Sequence, residues 1–317
     1  MKRGISLVLL LVLLSLSVSL IAKDNNHGAA YIRMGVGAKE LAMGSAVTAS
    51  VDNVTAAYWN PAGLSNLKGM ELASMYSVDM GLDRTYNYAG FGIRFNLGAV
   101  ALNWINMNVE DIQGYNADGE PTDSFDNGEH NLSLSYATAP GKFKFGFSAK
   151  MYMSDIDDEQ ENGYGFDAGA IFDVNQYISF GVMLRDIYSE LNEEEIPTEY
   201  SIGTAIYPFK GITLTSDLRR EKHSDKNKIS FGGEYWAGLG NDVEVNSQLS
   251  GITMEEATKW EEIMSSTSAG VRFGVNDGNF TGGAGLRFKM FEVDYAFTTE
   301  DLDIFNDSHR LSLLIRF

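Results

Sequence analysis

The chain has 317 residues, of which 24 are basic and 43 acidic, so its formal net charge is -19. This charge argues against nucleic acid as a partner, since phosphate binding needs a basic face. The sequence has no cysteine, which excludes disulfide bonds, lipid attachment through a thiol and thiolate catalysis, whereas its 33 glycines and 5 prolines suit many strands better than a helical bundle.

Residues 1–22 predict a secretory signal peptide. Met1, Lys2 and Arg3 form a charged start, and residues 4–22 are almost wholly apolar. We predict cleavage after Ala22. Beyond it no apolar run is long enough for a membrane helix, so insertion into a membrane requires strands, and only a closed barrel satisfies their backbone in lipid.

Residues 23–68 lack the alternation of a strand, and we predict that they form a small helical hatch. Residues 38–43 and 52–59 each predict a helical turn. Asn60 is placed to cap a further turn, with Pro61 at its first position and Gly63 at its end.

From about residue 69 to the C-terminus one unit repeats, in which eight to twelve residues alternate between apolar and small or polar side chains before a turn. The period of two, rather than 3.6, indicates strands. We predict about fourteen strands, near residues 70–80, 86–97, 98–108, 130–138, 143–153, 164–173, 178–188, 198–207, 211–220, 228–236, 267–275, 280–288, 291–299 and 309–317. Residues 237–266 are interpreted as an inserted connection with a short helix near 254–264, although a strand at 243–249 would make the count odd.

The lengths of the connections distinguish a soluble sandwich from a membrane barrel. Tight connections, at 96–98, 140–142, 175–176, 208–211 and 289–290, alternate with long polar ones, at 110–129, 155–163, 189–197, 221–228 and 300–308. Short periplasmic turns and long external loops are typical of outer-membrane barrels. Aromatic residues near the tight turns, among them Tyr207 and Trp236, predict an interfacial girdle. We therefore predict an all-β, antiparallel transmembrane barrel over residues 69–317, located in a bacterial outer membrane.

The cost of placing a charge in lipid assigns the two faces of the strands. An Arg or Lys at the bilayer midplane costs roughly 2–4 kcal/mol, so charged strand residues are predicted to face the lumen. These residues are Lys150, Arg185, Glu234, Arg272, Arg287 and Asp294. Because side chains fill a barrel only up to about eight strands, we expect residues 23–68 to plug the lumen. Phe317, which ends the last alternating segment, is the predicted signal for the barrel-assembly machinery.

Two stretches of the predicted hatch resemble the PorV/PorQ family of outer-membrane proteins. They are residues 37–46, Gly-Ala-Lys-Glu-Leu-Ala-Met-Gly-Ser-Ala, and residues 51–64, which contain Trp59, Asn60, Pro61, Ala62 and Gly63. Residues 232–236, 294–297 and 309–313 agree with the resemblance. That family is similar to the FadL long-chain fatty acid transporters, which carry an Asn-Pro-Ala motif in an N-terminal hatch inside a fourteen-stranded barrel. The resemblance implies the same placement for residues 60–62.

No arrangement of residues indicates an enzyme. The four histidines, at 27, 130, 223 and 309, show no metal-ligand spacing, and the nucleophile elbow, the phosphate-binding loop and the dinucleotide motif have no match. The acidic residues 155–161 resemble a calcium loop, but Gln160 stands where the sharp turn requires glycine, which favours a solvated loop. We predict no catalytic residue, no metal site and no cofactor.

Two functions remain open. The first is a FadL-like channel for small apolar or amphipathic solutes, gated by the hatch. The second is an outer-membrane partner in protein secretion of the type IX kind, or in envelope assembly, that transports no solute itself. The side chains inferred for the inner face are small, polar or charged. A transporter of fatty acids is expected to have an apolar lining, so this composition puts fatty acid transport in doubt. The predicted partners are outer-membrane lipid, the barrel-assembly machinery and either a small hydrophobic solute or secretion-system proteins.

Overall fold

The computed structural model describes residues 30–78, 84–116, 118–157, 159–239, 266–299 and 307–317. The predicted signal peptide at 1–22 lies outside these residues. So does most of the predicted connection at 237–266, including its helix and its alternative strand.

Residues 30–68, here called the inner segment, contain four short helices. They are two 3-10 helices, Ala30–Arg33 and Pro61–Asn66, and two α-helices, α1 (Ala38–Ala42) and α2 (Ala56–Trp59). Gly37 and Gly44 flank α1 with φ of 83° and 64°, a backbone conformation that favours glycine and ends the helix on both sides. No helix in the described part of the chain is long and apolar enough to cross a membrane.

The rest of the described chain is almost entirely strand. The strands are β1 (Met70–Val78), β2 (Arg84–Phe95), β3 (Gly98–Tyr115), β4 (Pro121–Thr138), β5 (Phe143–Ile156), β6 (Glu159–Asn175), β7 (Ile178–Leu191), β8 (Glu194–Ile196), β9 (Glu199–Ile206), β10 (Ile212–Glu221), β11 (Asn227–Gly238), β12 (Thr267–Asn276), β13 (Asn279–Phe288), β14 (Phe291–Thr298) and β15 (Ser308–Arg316). The three residues of β8 pair only with the end of β7.

The other fourteen strands close into an antiparallel barrel. Successive strands are hydrogen-bonded neighbours, β15 pairs with β1 with Glu71 opposite Arg316, and β9 pairs with β7 beyond the short β8. In the described residues, closure gives each of the fourteen strands a neighbour on both sides, as a barrel in lipid requires. The predicted fold class is therefore confirmed, and most predicted strands start and end within a few residues of the observed ones.

The two faces of the wall differ as a membrane barrel requires. On β14, Phe291, Val293 and Tyr295 are each 43% exposed on the outer face, whereas Glu292 and Asp294 between them are 0% and 4% exposed. A soluble protein buries its apolar residues and exposes its charges, so this wall has the opposite arrangement. The lipid-facing residues are the apolar ones.

Several connections predicted as long polar loops are strand instead. Between 110 and 129, β3 and β4 continue as a two-stranded ribbon in which Ile112 pairs with Phe125 and Tyr115 with Pro121. Likewise β5 continues to Ile156 and β6 begins at Glu159, so most of the predicted loop at 155–163 is strand. The prediction was wrong because polar composition reports contact with water, whereas the backbone ladder that extends these strands needs no apolar residue.

Candidate functional site

Glycines on the inner face of the wall form the seat of the inner segment. A Cβ atom at Gly146 would lie 2.2 Å from the carbonyl carbon of Pro61, and one at Gly181 would lie 2.4 Å from the carbonyl oxygen of Thr48. Such contacts exclude any side chain, because they bring backbone against backbone. Gly232 and Gly274 make the same kind of contact, with the backbone of Met43 and Gly44. Cβ atoms at four further glycines would instead meet side chains of the inner segment, namely at Gly92, Gly169, Gly203 and Gly283. The wall is thus shaped by its glycines to receive residues 42–67.

Within the inner segment, Asn60 is fully buried and makes bonds in two directions. Its side-chain oxygen accepts from the amide of Ala62 at 3.2 Å, which is the capping bond expected from the sequence, with Pro61 at the first position of the helix. Its Nδ2 donates to the carbonyl of Thr48 at 2.7 Å. The motif therefore holds two parts of the inner segment together inside the barrel.

The flanking residues of the motif are packed as tightly. The Trp59 ring is 4% exposed, and its Nε1 donates to the carbonyl of Val36 at 2.8 Å. A Cβ at Gly63 would lie 2.5 Å from the carbonyl oxygen of Val51, so only glycine fits there. The sequence pattern gave no sign of these contacts within the segment.

The predicted lumen-facing residues fall into two buried ion-pair networks on different parts of the wall. In the first, on β5, β6 and β7, the Lys150 ammonium lies 2.7 Å from the Asp167 carboxylate and 2.6 Å from that of Asp186. Both carboxylates are fully buried. The Arg33 guanidinium of the inner segment contacts Asp186 as well, and Tyr152 donates its hydroxyl to Asp186 at 2.5 Å. This network ties the start of the inner segment to the wall.

A pair of bulges in β7 places Asp186 in this network. The register between β6 and β7 shifts at three places, two of which add a residue to β7 on either side of Ile187, and Asp186 and Tyr188 have φ of 58° and 50°. Arg185 and Asp186 are consequently both buried, at 3% and 0% exposure, although strict alternation sends one of them into lipid. Sequence reasoning named Arg185 and missed Asp186. Two adjacent charges in a membrane strand were the available signal for a bulge.

Arg185 joins the wall to the aromatic residues of the inner segment. Its Nη1 donates to Glu199 of β9 at 2.9 Å, and its Nη2 donates to the carbonyl of Tyr58 at 3.0 Å. The guanidinium carbon also lies 4.4 Å from the centre of the Tyr58 ring. Such a cation over a ring is stabilising, the more so where water is excluded.

The second network lies on β11 to β15 and centres on Arg272. Its Nε and Nη1 each lie 2.7 Å from a carboxylate oxygen, the first of Glu234 and the second of Asp294. All three residues are buried, at 4%, 7% and 4% exposure. The three predicted residues thus lie together as one charge cluster.

Glu292 extends this network to the neighbouring strands. It accepts from Arg287 at 2.9 Å and from Arg316 at 2.5 Å, and Arg316 donates in turn to Glu71 of β1 at 3.2 Å. Glu71 also accepts from the backbone amide of Val54 in the inner segment at 3.0 Å. Asp167 and Glu292 were not predicted, although each lies in a predicted strand, where the rule that charges face inward would have found them.

Two of the aromatic residues predicted for the girdle face the lumen. The guanidinium carbons of Arg287 and Arg272 lie 4.3 and 5.0 Å from the Trp236 ring centre, and Tyr207 lines an internal cavity. Both share the alternation of inward-facing residues on their strands. Their assignment to the girdle was wrong because it was based on closeness to a tight turn, whereas the alternation of side chains along the strand decides which face a residue occupies.

Glu40 of α1 is a buried carboxyl inside the inner segment. Its Oε1 accepts from Asn53 at 2.9 Å and from the Thr55 hydroxyl at 3.0 Å. Burial raises the pKa of Glu40 above its usual value, and the nearby Lys39 only partly opposes that shift. Thr48 donates its amide to Asp217 of the wall at 3.0 Å, which adds another bond between the inner segment and the barrel.

A cavity of about 820 Å³, here called the vestibule, lies below the inner segment at the tight-turn end of the barrel. Its charged lining residues are Lys39, Glu40, Asp52, Lys68, Glu71, Lys142, Lys144, Asp173, Glu234, Arg287, Lys289 and Arg316. Two further spaces beside the inner segment hold only about 20 and 10 Å³, room for a water molecule at most. The inner segment thus forms one boundary of the vestibule.

No protein-family model matches this sequence, and no curated protein matches it significantly. Solved structures do match. The toluene transporter TbuX of Ralstonia pickettii aligns with a TM-score of 0.62 at 11% identity over 89% of this chain and 98% of its own. The toluene transporter TodX of P. putida gives 0.61 at 10% identity over 89% and 99%, and the monoaromatic hydrocarbon channel CymD gives 0.58 at 12% over 89% and 98%.

The chain therefore has the same barrel fold as these channels. At these identities the likeness concerns the fold alone. It covers almost the whole of the known channels and most of this chain.

Phe317 lies at the tight-turn end, after the last residue of β15. Its side chain is 61% exposed, and its amide donates to the carbonyl of Met70 at 2.9 Å, next to the seam between β15 and β1. Its role as an assembly signal stays a prediction.

Proposed function

We propose that this protein is an outer-membrane channel of the FadL-like type, which admits small apolar or amphipathic solutes and is closed by its inner segment. The observation that carries the proposal is a barrel with an apolar outer wall whose lumen is filled by residues 30–68. The toluene transporters and the monoaromatic hydrocarbon channel named above share this fold, which supports a related solute class.

The contacts of the inner segment suit a gate. Its polar links to the wall are ion pairs and hydrogen bonds, such as Arg33 with Asp186 and Thr48 with Asp217, and such links re-form after a displacement. The two spaces of about 20 and 10 Å³ beside it are too small for a solute, so the proposed gating requires the segment to move. The vestibule floor combines Met43, Val47 and charged Lys39, which suits an amphipathic solute better than a purely apolar one.

A second candidate is a partner of the PorV/PorQ type in protein secretion of the type IX kind or in envelope assembly, with no solute of its own. The β3–β4 ribbon favours it. In the described residues β2 pairs with β3 only as far as Val109, and β5 pairs with β4 only from Asn127, so the ribbon between them presents two unpaired edges. Edges of this kind accept a strand from a partner protein.

Single-channel conductance distinguishes the two candidates. The wild type, Asn60→Ala and a deletion of residues 28–64 are measured in the same planar bilayer. Loss of the Asn60 cap costs about 1 kcal/mol locally, so Asn60→Ala should conduct slightly more or flicker, and the deletion should conduct strongly.

Asn66→Ala is the matched control, because among the described residues this half-buried asparagine of the same helix makes one long side-chain bond, 3.4 Å to the carbonyl of Val51. Its traces should equal those of the wild type. If the deletion of residues 28–64 conducts no better than the wild type, the proposal that the inner segment gates the channel is wrong, and the second candidate is preferred.

A further inference from the structure

The charge of the vestibule is the reverse of the charge of the whole chain. The protein has 24 basic and 43 acidic residues, yet the vestibule is lined by seven basic and five acidic side chains. A net excess of acids predicts an acidic lining if charge is spread evenly. The basic excess is therefore a local feature of this end of the barrel.

The acidic side chains of the vestibule already have partners. The Asp52 carboxylate lies 3.0 Å from Lys39, that of Asp173 lies 2.7 Å from Lys144, and that of Glu71 lies 3.2 Å from Arg316. The other two acids are also accounted for, since Glu234 accepts from Arg272, and Glu40 accepts from Asn53 and Thr55. They leave no carboxylate for the remaining cations.

Three lysines remain once these pairs and the pair of Arg287 with Glu292 are taken away, namely Lys68, Lys142 and Lys289. All three side chains are exposed, and within the described chain none of them has an ion pair. Lys142 donates only to the carbonyl of Val174, at 2.7 Å, and Lys289 lies over the Phe288 ring. Their ammonium groups are available to an anionic ligand.

The distances between the three lysines around the barrel determine how large an anionic ligand must be to reach all of them. Lys68 precedes β1, Lys142 lies in the turn between β4 and β5, and Lys289 lies in the turn between β13 and β14. At about 4.8 Å per strand, Lys68 is roughly 12 Å from Lys289 and roughly 17 Å from Lys142 along the wall. One small anion cannot reach all three, whereas a chain with several carboxylates can.

We infer that the vestibule is a binding site for an acidic peptide segment of a partner protein, held by the ammonium groups of Lys68, Lys142 and Lys289. Under the proposed outer-membrane location the site opens to the periplasm, and to this extent it rests on the proposed function. Binding itself does not depend on conduction. A ligand in the vestibule also touches Lys39 and Asp52 of the inner segment, so its binding bears directly on the segment that fills the lumen.

The test measures binding of a fluorescein-labelled hexaglutamate peptide to the folded full-length protein in detergent, by fluorescence anisotropy at low salt. The triple variant Lys68→Gln, Lys142→Gln, Lys289→Gln should bind about tenfold more weakly than the wild type. Added salt should weaken binding to the wild type, because these lysines are exposed. A labelled hexaglutamine peptide serves as the uncharged control ligand.

Lys210→Gln is the matched control for Lys142→Gln. Both lysines are exposed and lie in tight turns at the same end of the barrel, but Lys210 does not line the vestibule. Only Lys142→Gln should weaken binding. Retained heat-modifiable migration on gels shows that each variant is folded.

Three results overturn the inference. They are equal affinity of the triple variant and the wild type, equal weakening by Lys210→Gln and Lys142→Gln, and binding of citrate without binding of hexaglutamate. Since binding is measured at equilibrium without a membrane potential, a protein that binds the peptide but does not conduct refutes the channel and leaves the site intact.

Discussion

At the scale of single residues, the stability of the barrel is most sensitive to substitution of its buried charged side chains. Lys150 faces Asp167 and Asp186, both fully buried. Lys150→Met should destabilise the folded barrel by about 3–5 kcal/mol, because it leaves the buried Asp167 carboxylate without its cation and takes away one of the cations that contact Asp186. The folded fraction is measured by gel mobility across a urea series. Lys222→Met, which breaks an exposed pair with Glu195, is the control and should change the midpoint little. Equal shifts of the urea midpoint in the two variants would contradict a stabilising role of Lys150 in the buried network.

At the scale of elements, glycines decide how the inner segment meets the wall. A Cβ at Gly181 would lie 2.4 Å from the carbonyl oxygen of Thr48, whereas one at Gly282, on the outer side of β13, has nothing nearer than 3.8 Å. Gly181→Ala should therefore displace the inner segment and accelerate hydrogen exchange in residues 45–66, including the Thr48 amide that bonds to Asp217. The barrel itself should remain heat-modifiable. Unchanged exchange, or equal acceleration in Gly282→Ala, would show that the packing of the inner segment against the wall does not depend on Gly181.

At the scale of the whole molecule, the outer wall predicts where the protein resides. Its outward residues are large and apolar, as at Phe147 and Phe273, with 61% and 66% of each side chain exposed. Water is a poor solvent for such a surface, and lipid is a good one. The mature protein should fractionate with the outer membrane and migrate faster on gels when unheated than when boiled. Recovery from the soluble periplasm would contradict the membrane assignment.

The strand pattern was readable from sequence because its causes are local. Alternation arises from the geometry of a single strand, and the cost of charge in lipid acts on each side chain separately. These two rules placed fourteen strands and oriented Lys150, Glu234, Arg272 and Asp294 with no knowledge of any contact. They failed at Asp186, where a bulge interrupts the alternation that both rules assume.

The sequence by itself thus determined the class of fold, the outer and inner faces and the existence of a non-strand segment before the barrel. Only the tertiary structure decided which charges pair, which glycines receive the inner segment and which lysines stay unpaired in the vestibule. The physical reason is the closure of the barrel. Arg316 meets Glu71 across 245 positions of sequence, because the last strand pairs with the first, and no local period encodes such a contact.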